Sequence, residues 1–345
     1  MRAAVGGETV LVTGAAGFIG RHLVDALLRD GARVRALAGP PGHGLPALPA
    51  EVASIDADLS TPGAAEEAVG DARIVVHAAG PASVAASFAD PAGFVRIHTE
   101  GTARLLDACR RADVRRVVFI SSAEVYGRPR ANPVRESHPQ RARSPYGAAK
   151  AGAEQLVRAF ADAYGISAVI LRPFSVYGPG QTAASLIGTV LRQAAGGDAG
   201  RGDAAGGDAV RLHDLRPVRD YVFVRDVADA VLAACTAPMP RTGVFNVGSG
   251  RGTSVARLAS LILQAAGRTM AVEQDGTDRP GRAQILRLVA DPARARDGLG
   301  WTAATSLPDG LAATVRAMDE ELTTGAESAE RPSSARDLAA AGAGA

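Results

Sequence analysis

Tyr146 and Lys150 stand four residues apart in the run Ser144-Pro145-Tyr146-Gly147-Ala148-Ala149-Lys150, and Lys150 is the only lysine in the chain. Arginine supplies every other basic side chain, so this position calls for an ammonium that guanidinium does not replace. An ammonium is a compact donor on a flexible stem, whereas guanidinium is planar and bulky. The four-residue spacing sets both side chains on one face of a helix. A fixed positive charge there lowers the phenol's pKa and lets Tyr146 act as acid or base near neutral pH. The alternative is a solvated lysine on an exposed helix; its solitude and its tyrosine neighbour favour the chemical reading.

Such a pair needs a scaffold, and the first half of the chain alternates short apolar runs with helical patterns. Thr9–Val12, Val34–Leu37, Val52–Ile55, Ile74–His77, Val117–Ser121 and Ala168–Leu171 read as strands. Phe18–Arg29 reads as an amphipathic helix, with further helical segments near 64–69 and 102–111. Ser144 as cap and Pro145 at the first helical position open the helix that carries Tyr146 and Lys150, running to about Tyr164. Strand–helix alternation of this kind predicts an α/β fold, a Rossmann-type doubly wound parallel sheet with right-handed crossovers. After Arg172 the character changes: helices near 186–194, 227–234 and 255–266 are interspersed with short strands at 210–212, 221–224 and 244–247. The expected organisation is a dinucleotide-binding domain over residues 1–173 with returns near 222–247. A smaller, partly interleaved substrate-binding portion follows over 174–322. Residues 196–208 read as a surface loop, and 323–345 as a disordered tail.

Composition narrows the class. With 345 residues, 47% hydrophobic but only 4% aromatic, alanine, valine and leucine must do most of the packing. A net charge of +2 with arginines spread among acids argues against a nucleic-acid partner. Cys109 and Cys235 lie far apart and show no metal-ligand spacing, so free thiols in a reducing compartment are expected. No charged-then-apolar leader and no membrane-length apolar stretch stand out. The expectation is a soluble cytoplasmic protein without a membrane partner.

The first strand–helix junction reads Thr13-Gly14-Ala15-Ala16-Gly17-Phe18-Ile19-Gly20. Gly14 permits a tight turn, Gly17 a close approach of backbone to a pyrophosphate, and Gly20 close helix–strand packing. The helix N-terminus adds free N–H groups for the anion. Glycines in this spacing are a weak signal alone; at the first junction of a doubly wound pattern they point to a dinucleotide. Asp58-Leu59 suits the adenine amino group, or else a helix cap before Thr61-Pro62. The second strand ends Ala36-Leu37-Ala38-Gly39, without the acid that grips a ribose 2′-hydroxyl, and Arg33 and Arg35 are near. NAD and NADP both stay open.

Taken in order, Thr13–Gly20, His77-Ala78-Ala79-Gly80, Ser121–Gly127 and Tyr146-x-x-x-Lys150 resemble the extended short-chain dehydrogenase/reductase family, in its sugar-nucleotide epimerase/dehydratase branch. Arg172–Gln181, Arg219-Asp220-Tyr221, Asn246–Ser249 and Arg279-Pro280-Gly281 extend the likeness over about residues 8 to 320. The resemblance implies a tightly held NAD or NADP contacted by Gly14, Ala16, Gly17, Phe18, Ile19, Gly20, Asp58, Leu59, Ala78, Ala79, Gly80, Tyr146, Lys150 and Pro173. It implies that Tyr146 takes a proton from a sugar hydroxyl, usually at C4, as hydride leaves for the nicotinamide. Lys150 would hold the nicotinamide ribose and depress the pKa of Tyr146, and Ser122 would share the proton shift.

The same resemblance places Ser83, Ser122, Ser175, Arg219 and Arg279 against a nucleotide-diphosphate sugar, the two arginines clamping its diphosphate. For each arginine a surface ion pair is the competing reading. Glu124 matches the carboxylate with which related dehydratases remove the C5 proton, or is a polar contact to a sugar hydroxyl. Ala123 stands where some of those dehydratases carry an aspartic acid. Ser175 and His98 stand where the family often has asparagine. His98 would join a proton relay or serve as a structural histidine. The expected reaction is transient oxidation at C4, then epimerisation or C5–C6 dehydration. An NADPH-dependent keto-sugar reductase and a sugar-nucleotide decarboxylase are the alternatives, and homodimerisation through a helix pair is typical of the family.

Overall fold

The computed structural model describes residues 4–40, 47–196, 209–238, 242–275 and 285–329, with side chains through 320. Its first half runs β1 (Thr9–Thr13), α1 (Phe18–Arg29), β2 (Arg33–Leu37), β3 (Ala53–Ile55), α2 (Ala64–Val69) and β4 (Ile74–His77). Then come α3 (Val84–Ala89), α4 (Pro91–Val95), a π-helical turn (Arg96–Glu100) and α5 (Gly101–Arg111). β5 (Arg116–Ile120), a 3₁₀ turn (Ala123–Tyr126), α6 (Pro145–Tyr164) and β6 (Ser167–Pro173) complete it. The second half holds β7 (Ser175–Tyr177), α7 (Leu186–Ala194), β8 (Ala209–Leu212), β9 (Val218–Phe223), α8 (Val224–Thr236) and β10 (Thr242–Val247). It ends with β11 (Gly252–Ser254), α9 (Val255–Ala265), β12 (Ala271–Gln274), β13 (Arg287–Leu288), α10 (Ala293–Leu299) and α11 (Leu307–Ala329).

Seven strands form one sheet in the order β10-β6-β5-β4-β1-β2-β3, and every pairing in it is parallel. The order reverses between β1 and β4, where a crevice opens at the carboxyl ends of the strands. Alternation along β1 shows how the layers are chosen. Val10 and Val12 join Leu23, Val24, Leu27, Val227 and Val231 of α1 and α8. Leu11 faces the other way, with Val69, Leu105, Leu106 and Val157 of α2, α5 and α6. Strands buried on both faces read as continuous apolar runs, as parallel sheets require.

The second half returns to this sheet through α8 and β10, then builds its own layer. β9 pairs with β7 and β13 in parallel and with β11 antiparallel. Ile187, Val190, Leu258, Ile262, Leu311 and Met318 pack beneath it. α11 continues through Ala329, so residues 323–329 of the expected disordered tail are helical, while 330–345 lie outside the described residues. Alanine and glutamate sustain a helix, and no proline interrupts the chain there before Pro332. The loop expected from 196 to 208 lies almost wholly outside the described residues.

One buried carboxylate ties the second layer together. Asp220 of β9 accepts from Ser249 N (2.8 Å), Ser249 Oγ (2.6 Å), Gly250 N (2.9 Å) and Ala290 N (3.1 Å). Asp220→Ala strands these donors in the interior. We expect a loss of about 3 kcal/mol or more, read as a lower urea midpoint with an unchanged slope; a midpoint like that of the parent would show that the turn does not need this acceptor.

Candidate active site

The glycine-rich turn is built as close packing demands. Gly14 has φ +69°, and a Cβ there would lie 2.8 Å from Ala79 Cα. A Cβ on Gly20 would lie 2.0 Å from Gly14 O and 2.8 Å from Ala15 Cα, so α1 reaches the strand end only because this residue is bare. Gly17 is the N-cap of α1, with an extended backbone and no side-chain cap bond, so no side chain caps the N–H groups of the first turn, at Phe18 and Ile19. Ala16 is buried beside them.

β4 delivers Ala78-Ala79-Gly80 against this turn through a buried histidine that sequence reasoning did not single out. Ala79 N–H donates to Thr13 Oγ1 (3.2 Å), and Thr13 Oγ1 bonds His77 Nδ1 (2.7 Å). His77 Nε2 bonds Thr102 Oγ1 (2.9 Å), whose own proton goes to His98 O (2.5 Å). That last bond fixes the directions: Nε2 carries the proton and Nδ1 accepts. Burial, and after it the charge of Lys150, holds His77 well below the usual imidazole range, so it is a neutral strut joining β1, β4 and α5. A buried histidine at a strand end was the available signal, and its threonine partners are distant in sequence.

The end of β5 and the start of α6 bring together the side chains that the sequence marks as candidates for the chemistry. Ser144 caps α6 by accepting from Gly147 N (3.1 Å), with Pro145 at the first position. Ser122 accepts from Glu124 N (3.2 Å) and is near enough to the Tyr146 phenol to act on its proton. Tyr146 is buried, with His98 edge-on at 5.4 Å and Phe94 at 6.2 Å between ring centres. Burial pushes the phenol up to about 12, Ser122 acts against the rise, and the charge of Glu124 adds to it. Lys150 is 4% exposed; its Nζ donates to Ile120 O (2.8 Å) and lies 5.0 Å from the centre of the Phe119 ring. Burial pulls it down to about 7, with Glu154 acting the other way.

The ammonium is therefore buried beside the strand ends, as the spacing implied, but the protein's own framework raises the phenol rather than lowering it. Desolvation of the enclosed hydroxyl outweighs the opposing effect of Ser122. His98 sits on the π-helical turn with Nε2 donating to Pro81 O (2.9 Å), and burial takes it down to about 3. It is a neutral ring wedged against Gly80, where a Cβ would lie 2.3 Å from its Cε1.

Glu124 faces Arg219. Burial raises the carboxyl and the guanidinium opposes the rise; Arg219 in turn is lowered by burial, with Glu124 and Tyr221 opposing. Arg219 Nη1 donates to Val218 O (3.1 Å). Ser175 is half-buried on β7 and pairs with Tyr221 across to β9. Ser83 is exposed and caps α3 by accepting from Ala86 N (3.1 Å). Asp58 accepts from Ser60 N (2.7 Å), while the N-cap of α2 is Gly63, so it is a turn former rather than a helix cap. Leu59 is buried, and Pro173 ends β6 opposite Val247. Arg279 lies outside the described residues.

The two arginines of β2 are committed elsewhere. Arg33 Nη2 donates to Thr9 Oγ1 (3.0 Å), and Arg35 donates to Glu67 O (2.9 Å) and Ala68 O (3.1 Å). Neither guanidinium is left at the Ala38-Gly39 end of the strand.

A model of the NAD dependent epimerase/dehydratase family matches residues 10–248. The chain belongs to this family. The enzyme is 36% identical over 318 residues to a UDP-glucose 4-epimerase of Mycolicibacterium smegmatis, covering 88% of this chain and 96% of that one. It is 33% identical over 324 residues to a UDP-glucose 4-epimerase of Azospirillum brasilense, covering 91% and 92%. Among solved structures it is similar to MoeE5 in complex with UDP-glucuronic acid and NAD, with 32% identity, TM-score 0.79, and 91% and 99% covered. The enzyme's dinucleotide is NAD or NADP. The bare cradle at Gly14 and Gly20 and the uncapped start of α1 fit its pyrophosphate.

Because the atoms facing Gly20 are main chain, Gly20→Ala forces α1 away from the strand end. Overpacking of about 1–3 kcal/mol translates into roughly ten- to hundredfold weaker NAD binding. Calorimetric titration measures it, and parental affinity in the variant would remove the cradle from the dinucleotide site.

Proposed function

We propose that this family member is a UDP-hexose 4-epimerase acting through transient oxidation at C4. The observation that carries the reading is that Tyr146 and Lys150 are both buried on one face of α6, where that helix meets the end of β5 beside Ser122. The curated relatives at 36% and 33% identity support the choice of reaction. When bound, the dinucleotide supplies a hydride acceptor and donor. Tyr146 takes the proton of the C4 hydroxyl, and Ser122 holds the same oxygen and shares the proton shift. Lys150 keeps a positive charge beside the strand end and would hold the dinucleotide's ribose. The keto sugar then turns over within the site, and Tyr146 returns the proton after hydride reaches the opposite face.

Arg219 is the described candidate for the substrate's diphosphate, with Arg279 assigned by resemblance, and a guanidinium fork suits phosphate oxygens. Ser83 and Ser175 are assigned to the same substrate by resemblance. Residues 174–322 would supply most of that site, and residues 1–173 with the return through β10 the dinucleotide site. Two copies of the chain would pair through the faces of α5 and α6, in the cytoplasm; exposed Phe88, Val95 and Tyr164 on α3, α4 and α6 suit burial there. No helix of the described residues is long and apolar enough to cross a membrane.

Glu124 favours a second reading. A half-buried carboxyl raised above its ordinary range is a stronger base, and oxidation at C4 acidifies the C5 proton, so elimination of water across C5–C6 is within reach of this site.

A panel of UDP-glucose, UDP-galactose and UDP-glucuronate, read by mass and NMR, separates the readings. Inversion at C4 without change of mass is expected; loss of one water would replace epimerisation by dehydration, and stoichiometric NADPH consumption would mark a reductase. Tyr146→Phe should lower turnover by about a thousandfold while leaving NAD affinity near the parent's, and near-parental turnover would remove Tyr146 from the chemistry. Glu124→Gln should retain epimerisation within about tenfold but abolish solvent deuterium entry at C5 if dehydration is the reaction.

A further inference from the structure

The face of α6 that carries Tyr146 and Lys150 continues one turn further to Glu154, which the reaction as described does not use. Glu154 is wholly buried, as is Arg172 at the end of β6. Arg172 grips the carboxylate with both arms, Nε to Oε1 at 2.8 Å and Nη2 to Oε2 at 2.6 Å. Ser121 Oγ donates to Oε1 at 2.5 Å, and Gln140 Nε2 also donates to Oε2. Arg158, across one turn, approaches Oε2 at 4.0 Å.

The pair reaches every element that bears a reacting group. Ser121 precedes Ser122 in the chain. Arg172 Nη1 donates to Tyr126 Oη at 2.8 Å, and its guanidinium lies 4.8 Å from the centre of that ring. Tyr126 closes the 3₁₀ turn that carries Glu124, and its hydroxyl donates to Asn246 Oδ1 of β10 at 2.6 Å. Asn246 N in turn donates to Glu136 Oε1 at 2.7 Å, and Arg172 precedes Pro173.

We propose that Glu154 is a positioning residue: clamped by Arg172, its carboxylate locks α6 to the end of β5, so holding the Tyr146 end of that helix beside Ser122, and sets its charge one turn from Lys150 on the same helix face. This rests on the reading of Ser122, Tyr146 and Lys150 as the reacting set. A surface pair would not have this effect, but a buried bidentate pair with its remaining lone pairs filled fixes geometry. Facing Lys150 from its own helix is Glu154, from β4 neutral His77, from the π-helical turn neutral His98, and from β5 the Phe119 ring and Ile120 O. Among these described groups Glu154 is the anion, so its removal lowers the pH at which Lys150 loses its proton.

Two variants test the proposal, Glu154→Gln and Ser121→Ala. The second keeps the ion pair and cuts only its link to the strand that carries Ser122. Because Lys150 is the sole lysine, lysine labelled with ¹⁵N gives one side-chain resonance whose pH midpoint is read without any substrate. In Glu154→Gln that midpoint should move down by about one pH unit or more, and the alkaline limb of turnover with it. In Ser121→Ala turnover should fall about tenfold with KM within twofold and little change in melting temperature. An unmoved midpoint, or parental turnover in Ser121→Ala, overturns the proposal and leaves the pair a structural tie. If the parent enzyme turns over none of the panel, the assigned reaction fails instead, and the resonance still decides whether Glu154 governs Lys150.

Discussion

Keeping an ammonium charged where water does not reach is the constraint around which the strand ends are arranged. Lys150 has the carbonyl of Ile120, the face of Phe119 and, one turn along, the carboxylate of Glu154. An isolated buried charge is costly enough that the group would neutralise instead, and the fall of Lys150 to about 7 shows how close that balance runs. Each neighbour is shaped by the same need. His77 and His98 stay neutral, so they add no second cation. The Glu154 carboxylate is met in the interior by the bidentate guanidinium of Arg172.

A parallel sheet supplies the geometry that makes this possible. All the strands that matter end on one edge: β1 at Thr13, β4 at His77, β5 at Ile120 and β6 at Pro173. Residues from distant parts of the sequence then meet within hydrogen-bond reach, as Thr13 meets His77 and Ser121 meets Glu154. The reversal of strand order between β1 and β4 opens the edge just where the glycine turn and Ala78-Ala79-Gly80 approach each other. The close approach in turn depends on absent Cβ atoms.

Much of this was legible in the chain. α1 and α6 occupy the residues that periodicity and the Ser144-Pro145 cap indicated. β1, β4, β5 and β6 read correctly because burial on both faces makes them continuous apolar runs. Local signals failed where tertiary contacts decide. α3 and α4, six and five residues long, were not read as helices, and β7, β11 and β13 exist only because β9 pairs with them. A π-helical turn leaves no mark in hydrophobic spacing. At the site, Tyr146 and Lys150 announced themselves by spacing and solitude. The lift of the phenol did not, because desolvation is a property of the folded surroundings. Arg33 and Arg35 were near the end of β2 in sequence, yet their guanidinium groups bond to β1 and α2.

The exclusive use of arginine elsewhere gives the surface an unusual chemical character. Reagents that acylate or crosslink side-chain amines find one candidate in the whole chain, and that one is enclosed behind the strand ends. Coupling chemistry that scars most proteins at random therefore passes over the exterior of this fold, and any incorporation at a side-chain amine reports that the interior has opened.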